Sequence, residues 1–405
     1  MSFIKKIIPW KKILIIDVWT YKIKVAYCEY KNSEISILSY WEKRQETSDI
    51  IHGEIANIES VSNTIEMAIS KALKNQEFNP KNIIINIPTQ TIISSSNKIN
   101  YSRDKKNLNI DLNELDYIIW KVEKKALENA TIDITKKTWY SEVDMKLITS
   151  SITDITIDNF KVSNPIWFTW ENITLSTLNI FLPASRYNMI NTVSNYLWKN
   201  ILSIIPLEFS LPKILENSEY AYDDVIFIDV WNTKTSVIVQ KLWVIIWFDK
   251  INIWINDLIK IIKENSTKTT IEIIEDISSK EDKFLKEKQD FLQVWEEWFI
   301  ITLKEILKSN IIPNKIFVSG WWNNSFLKNH IKNIDLNKYL LHSLKTFNII
   351  NIDLEKDLKI IWNKSIFNDQ HIWLLSMILA TNELLNYKKN PVLDILKNFL
   401  EKNEF

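Results

Sequence analysis

A chain of 405 residues with only two glycines, Gly53 and Gly320, cannot make its turns in the ordinary way. An average protein of this length carries about 28 glycines, at ~7% of residues, because glycine reaches positive φ without a steric penalty. Asparagine is plentiful and can serve some turns, but not all of them. The sequence instead holds eighteen tryptophans. They follow turns rather than the face periods of two or 3.6 that core or stacking residues obey. Trp19 follows the strand-like run ILIIDV, and Trp231 follows VIFIDV. Trp198 comes just after the helix-like NMINTVSNYL, where glycine is enriched. Trp243 falls between two β-rich runs, where a hairpin turn is expected. In KIFVSGWWNN a strand ends at Ser319 and Gly320, and Trp321 and Trp322 take the turn. The reading is that most of these tryptophans are glycines in the cell, as happens where the stop codon UGA is read as glycine. The Ile/Lys/Asn-heavy composition fits the AT-rich genome that such a code accompanies.

Bulk properties exclude several classes. Lys+Arg and Asp+Glu both number 50, so the formal charge is zero, and no basic field points to nucleic acid. A single cysteine, Cys28, and the scattered His52, His330, His342 and His371 argue against a disulfide framework and a zinc site. No apolar run reaches the ~20 residues of a spanning helix. The N-terminal MSFIKKIIPW lacks the long apolar region of a signal peptide. A reducing cytoplasm is the expected compartment.

Strand-like and helix-like segments alternate, which predicts an α/β layered fold. Residues 13–18 and 23–30 read as a hairpin, with a third strand at 35–40, a helix at 59–74 and a strand at 82–87. A more polar stretch, 89–178, reads as an inserted subdomain with a helix at 111–128 and two β-rich runs. After a helix at 186–198 the opening pattern repeats, with strands at 225–230, 235–240 and 244–254, a charged helical region at 281–308 and a strand at 316–320. The expected division is 11–88 plus 179–220 as lobe 1, 89–178 as the insertion, 221–385 as lobe 2, and 386–405 as a hinge with an amphipathic helix.

The duplicated turns carry the chemistry. Asp17 and Asp229 each end an apolar strand, and a tryptophan in a glycine place follows two residues later. Such turns can offer backbone N–H groups, with Thr20, Asn232 and Thr233, to phosphate oxygens. The two carboxylates suit Mg²⁺, held largely through water because that ion dehydrates reluctantly.

These motifs resemble the actin/Hsp70/sugar-kinase ATPase superfamily. IIDVWTYKIK is similar to its first phosphate loop, FIDVWNTKTSV to its second and FVSGWWNNSFL to its adenosine loop. Within the superfamily the chain most resembles the FtsA family of bacterial cell-division proteins, over roughly residues 11–385. HGEIANIESV matches the segment leading into that family's first long helix. NPIWFTW matches its Asn-Pro-x-Gly-x-x-Gly signature, with Trp167 and Trp170 in glycine places, and DQHIWLLSMI its closing helix. The resemblance implies a duplicated two-lobed fold around a nucleotide cleft, with an inserted 1C (SHS2-like) subdomain. It implies ATP and Mg²⁺ as ligands and slow hydrolysis, since no dedicated general base is evident. Asp17 and Asp229 would be the catalytic, Mg²⁺-holding pair. Trp19, Thr20, Tyr21, Lys22, Trp231, Asn232, Thr233, Gly320, Trp321, Trp322 and Asn323 would line the nucleotide, with Glu297 on the adenosine-contacting helix.

Head-to-tail self-assembly, a tubulin-like FtsZ partner and a peripheral place on the inner face of the membrane at the division site are further implications of the resemblance. Val392, Ile395, Leu396, Phe399 and Leu400 form one apolar helical face, an expected membrane contact. Only two lysines against three acids on that segment depart from the usual basic membrane helix. The related pilus-assembly family PilM is the alternative reading, and a sugar- or acetate-kinase-type phosphotransferase is a more distant one.

Overall fold

The computed structural model describes residues 10–386, apart from 32–33, 47, 52–53, 87–90, 104–106, 139–143, 163–164, 167, 170, 231–234, 242–243, 252, 254, 279–282, 308–311, 321–324, 340–345 and 363–365. The apolar runs form the centres of the sheets. Strand β1 (Trp10–Val18) buries Ile13 through Ile16 on both faces, as expected of a strand covered above and below. It pairs antiparallel with β2 (Lys22–Lys31), which pairs antiparallel with β3 (Glu34–Arg44). Helix α1 (Ile58–Ala72) follows. Asn57 caps it by accepting the Ser60 N–H at 3.1 Å, and Val61, Ile65, Ala68 and Ile69 form its buried stripe. Strand β4 (Asn82–Asn86) then lies parallel to β1.

The inserted region forms its own four-stranded antiparallel sheet from β5 (Ile93–Ser102), β6 (Met145–Ile157), β7 (Phe160–Lys161) and β8 (Asn172–Pro183), in the order β5-β8-β6-β7. Helix α2 (Leu112–Thr138) covers one face. It runs ten residues past the expected end at 128 because Ala126, Ala130 and Ile134 continue the buried stripe at helical spacing. The β6–β7 turn shows how asparagine and aspartate stand in for glycine here. Asp158 (φ 43°) and Asn159 (φ 73°) take the left-handed region, which short polar side chains tolerate. Two further segments complete the first half. They are α3 (Ala184–Tyr196) and β9 (Asn200–Ile204), the latter parallel to β4.

The second half repeats the first. Strands β10 (Val225–Val230), β11 (Thr235–Lys241) and β12 (Val244–Ile251) form an antiparallel meander. After helices α4 (Ile255–Glu264), α5 (Thr270–Ser278) and α6 (Leu285–Leu307), β13 (Lys315–Gly320) returns parallel to β10. Strand β14 (Asn348–Ile350) lies parallel to β13. The first large sheet runs β9-β4-β1-β2-β3, extended by the short strand Ile360–Ile361, and the second runs β14-β13-β10-β11-β12. Both are a three-stranded meander joined through its first strand to two parallel strands.

The chain divides into two compact units. One takes the chain up to Ile214 with Leu358–Lys364 and the stretch from Trp373; the other takes Leu215–Asp357 with Ser365–Ile372. Within the first unit the last described helix, α7 (Ile372–Asn386), is fixed by Tyr30, whose hydroxyl donates to the Ile378 carbonyl at 2.9 Å. Ser376 adds a 3.0 Å bond to Ser210. Among the described residues no helix is long and apolar enough to cross a membrane.

Candidate functional site

Each large sheet ends its first strand in a buried aspartate. In the first unit Asp17 stands opposite Asn86 on the parallel strand β4 and opposite Lys24 on the antiparallel strand β2. Asn86 Nδ2 donates to Asp17 Oδ1 at 3.3 Å. Burial pushes the Asp17 carboxyl above the ordinary carboxylate range, against the pull of the Lys24 charge and of bonds from Trp19 and Asn86. The same burial lowers the Lys24 ammonium, with the Asp17 charge opposing that shift.

The hairpin after Asp17 is tight. The Trp19 N–H donates to the Lys22 carbonyl at 3.0 Å, leaving Thr20 and the 41% exposed Tyr21 as the loop. Gln45, absent from the sequence reading, braces this loop twice. Its backbone N–H donates to the Tyr21 carbonyl at 2.9 Å, and its side-chain amide donates to the Trp19 carbonyl. The Trp19 ring is buried, with its centroid 4.1 Å from that of Trp373. That is closer than the usual 4.5–7 Å between aromatic rings.

Lys22, expected near phosphate, is directed elsewhere. Its Nζ lies 2.7 Å from Glu42 Oε1, and Tyr40 donates to Glu42 Oε2 at 2.9 Å. Burial raises the Glu42 carboxyl, but the bonds from Lys22 and Tyr40 outweigh it and hold it below the ordinary range. The lysine whose charge faces Asp17 is Lys24. Period-two alternation in KIKV puts both lysines on one face, and a two-residue loop sets Lys24 opposite Asp17. The signal was therefore present in the hairpin register.

In the second unit Asp229 is equally buried and stands opposite Ser319 on β13 and Ser236 on β11. Ser319 donates to Asp229 Oδ1 at 2.5 Å. Next along, Gly320 pairs with Val230 at φ +102°. A Cβ there would meet the Val230 carbonyl oxygen at 2.2 Å, so only glycine fits this strand end.

Trp231, Asn232, Thr233, Trp321, Trp322 and Asn323 lie outside the described residues, as do Val392, Ile395, Leu396, Phe399 and Leu400. Glu297 on α6 is exposed. Its neighbour Glu296 is the anchored one, accepting from the Tyr339 hydroxyl at 2.5 Å and standing 2.7 Å from His330 Nε2. Trp295 and Phe299 point into the core from this helix and stack at 5.0 Å. That phase leaves position 297 to solvent.

In each unit the buried aspartate and its neighbours, Asn86 beside Asp17 and Ser319 and Ser236 beside Asp229, supply oxygen and amide groups of the kind that suit phosphate and a hard divalent cation. Trp19 adds nothing to that set, because its indole is buried against Trp373 and its backbone N–H is given to the Lys22 carbonyl.

Among solved structures, the chain is similar to one in the PilM–PilN type IV pilus biogenesis complex, with a TM-score of 0.63 and 9% identity over 92% of this chain and 99% of that one. The ethanolamine utilization protein EutJ from Carboxydothermus hydrogenoformans matches with a TM-score of 0.46 and 10% identity, over 92% and 89%. A Bacteroides thetaiotaomicron protein with an actin-like ATPase fold matches at 0.36 and 11%, over 91% and 95%. No protein-family model and no curated protein sequence matches the chain. The duplicated meander-plus-parallel sheets and the full-length likeness to the pilus-complex chain together give this chain an actin-like ATPase fold.

Proposed function

We propose that this chain binds Mg–ATP at its two aspartate-ended turns and acts as an actin-like scaffold. In this reading it assembles head to tail and ties an FtsZ ring to the inner face of the membrane, as FtsA proteins do. The observation that carries the nucleotide site is the duplication. Asp17 and Asp229 occupy the same place in two sheets of the same strand order, each with a hydrogen-bond donor on the parallel neighbour. Asp17 and Asp229 would hold the cation through water. Thr20, Asn232 and Thr233 would meet phosphate, and Gly320 to Asn323 with Glu297 would meet adenosine. When bound, Mg²⁺ would offset phosphate charge; the chain's own groups orient it.

The same reading takes most of the tryptophans as glycine in the cell. Trp198 is its strongest structural support. It stands at φ +53°, 90% exposed, just past α3. Lys199 N–H donates to Ser194 and Trp198 N–H to Asn195, each at 3.1 Å, the two bonds of a Schellman cap whose left-handed residue is usually glycine. Nothing in the packing there calls for an indole.

The test is to make the full chain with glycine at positions 19, 231, 321 and 322 and titrate it with Mg–ATP. Binding that Asp17→Asn and Asp229→Asn each abolish is the expected result; no binding by the glycine form would sink the site. Sedimentation with anionic vesicles and FtsZ polymers tests the tether. A second reading, a PilM-like scaffold of a pilus complex, is favoured by the full-length fold likeness. It predicts binding of a pilus membrane protein's peptide and no recruitment of FtsZ.

A further inference from the structure

A polar cluster interrupts the otherwise apolar contact between α2 and the inserted four-stranded sheet. Apolar clusters lie on both sides of it, one around Ile118, Ile119 and Val122 and the other around Ala126 and Ala130. Between them Glu123 is 1% exposed. It faces Ser150 on β6 and Asn179 on β8, which are direct register partners.

With Asn179 Oδ1 facing Ser150, the hydrogen-bond count at Ser150 does not close with an ionised carboxylate. Ser150 Oγ lies 2.5 Å from Glu123 Oε1 and 2.6 Å from Asn179 Oδ1. A hydroxyl carries one proton, whereas a carboxylate and an amide carbonyl only accept. Two contacts this short need two protons, so the second must sit on Glu123. Glu123 Oε2, Thr177 Oγ1 and Asn179 Nδ2 are also buried without a hydrogen-bond partner among the described residues. A charged oxygen would be especially costly there.

We propose that Glu123 is a neutral carboxylic acid in the folded subdomain near neutral pH, donating to Ser150, and that its ionisation loosens α2 from the sheet. Its surroundings agree. Burial pushes the carboxyl up to about 7, with the Ser150 bond working the other way. The sheet positions turned toward α2 carry no lysine, arginine, aspartate or glutamate. Lys98 on β5 and Lys146 and Asp154 on β6 fall on the alternate positions, and Asp154 pairs with Lys161 of β7. The titratable group on that face of the sheet is Tyr101, under the Lys121 ammonium. On α2 itself Lys124 lies over the Trp120 ring and Glu114 is held by Arg103.

The sign follows from proton binding. Between the ordinary value of 4.5 and about 7 the folded chain binds more protons at Glu123 than the unfolded one. Stability is therefore lost as pH rises through that window and levels off above it.

The experiment is isotope-edited infrared spectroscopy of ¹³C-glutamate-labelled full chain. At about pH 6, where exposed glutamates are ionised, a carboxylic-acid carbonyl band is expected that disappears by about pH 9 and is absent from Glu123→Gln. Amide exchange in α2, β6 and β8, corrected for intrinsic rates, should quicken by about tenfold over the same interval in the wild type and stay level in Glu123→Gln. If the Asn179 amide is turned so that Nδ2 donates to Ser150, the count closes with an ionised Glu123. The band is then missing at about pH 6, which overturns the proposal. An unchanged pH response in Glu123→Gln overturns it too. Should that variant fail to fold, the wild-type band alone decides.

Discussion

Ser319 donates a 2.5 Å hydrogen bond to Asp229 from the place on the parallel neighbouring strand that Asn86 holds against Asp17. The chain thus builds one arrangement twice, with a neutral donor beside each carboxylate. The antiparallel neighbours differ, since Lys24 faces Asp17 while Ser236 faces Asp229. One carboxylate is opposed by a buried cation and the other by a hydroxyl.

Removing Ser319 should therefore expose the cost of burying Asp229. Ser319→Ala leaves that carboxylate without its short bond, and a loss of about 1–3 kcal/mol is expected. The urea midpoint of the full chain measures it. A change within error would mean that Asp229 is satisfied by other partners.

The two lysines of the first hairpin should separate cleanly. Lys24→Met leaves Asp17 buried without an opposing charge and should cost about 3 kcal/mol. Lys22→Met breaks only the half-exposed pair with Glu42, for which under about 1 kcal/mol is expected. Equal losses from the two variants would show that burial does not distinguish the pairs. Asp17→Asn on the Lys24→Met background should recover part of the larger loss.

Trp198→Gly is expected to stabilise the chain by about 1 kcal/mol, because glycine adopts the left-handed cap without a Cβ clash. Thermal unfolding reads this directly. Trp295→Gly is the counterpart: its indole is fully buried against Phe299, and its removal should cost about 3–5 kcal/mol. Destabilisation at position 198 would count against glycine there.

Gly320→Ala tests the strand end itself. The new Cβ would press on the Val230 carbonyl oxygen at 2.2 Å, at a φ of +102°, so a loss of at least about 2 kcal/mol is expected. A tolerant Gly320→Ala variant would show that β10 and β13 can separate at little cost.

Much of this architecture is legible in the amino-acid sequence. The hairpin of 13–18 with 23–30, the strand near 82–87 and the repeated strands 225–230 and 235–240 all appear, within a few residues, as paired strands. Trp198 in the left-handed region matches the expected need for glycine after that helix. The insertion was less legible. Its helix runs to Thr138, and its two β-rich runs form a four-stranded sheet, because small residues such as Ala126 and Ala130 give a weak periodic signal even when buried. Around the site, Gln45 and Asn86 were missed since neither stands near a motif. Each reaches its target only through pairing across the sheet or over the loop.

The sequence by itself determined the duplicated apolar strands, the aspartate that ends each of them and the turns that follow. These depend on alternation and on backbone angles within a few residues. The tertiary structure alone decided that Lys24 rather than Lys22 opposes Asp17 and that Glu296 rather than Glu297 is tied down. It also decided that the helix from Ile372 is fixed by Tyr30, 348 residues from the carbonyl it holds. Those choices rest on strand register and helix phase against a core assembled from distant segments, and a burial preference read locally cannot say which distant partner will supply the contact.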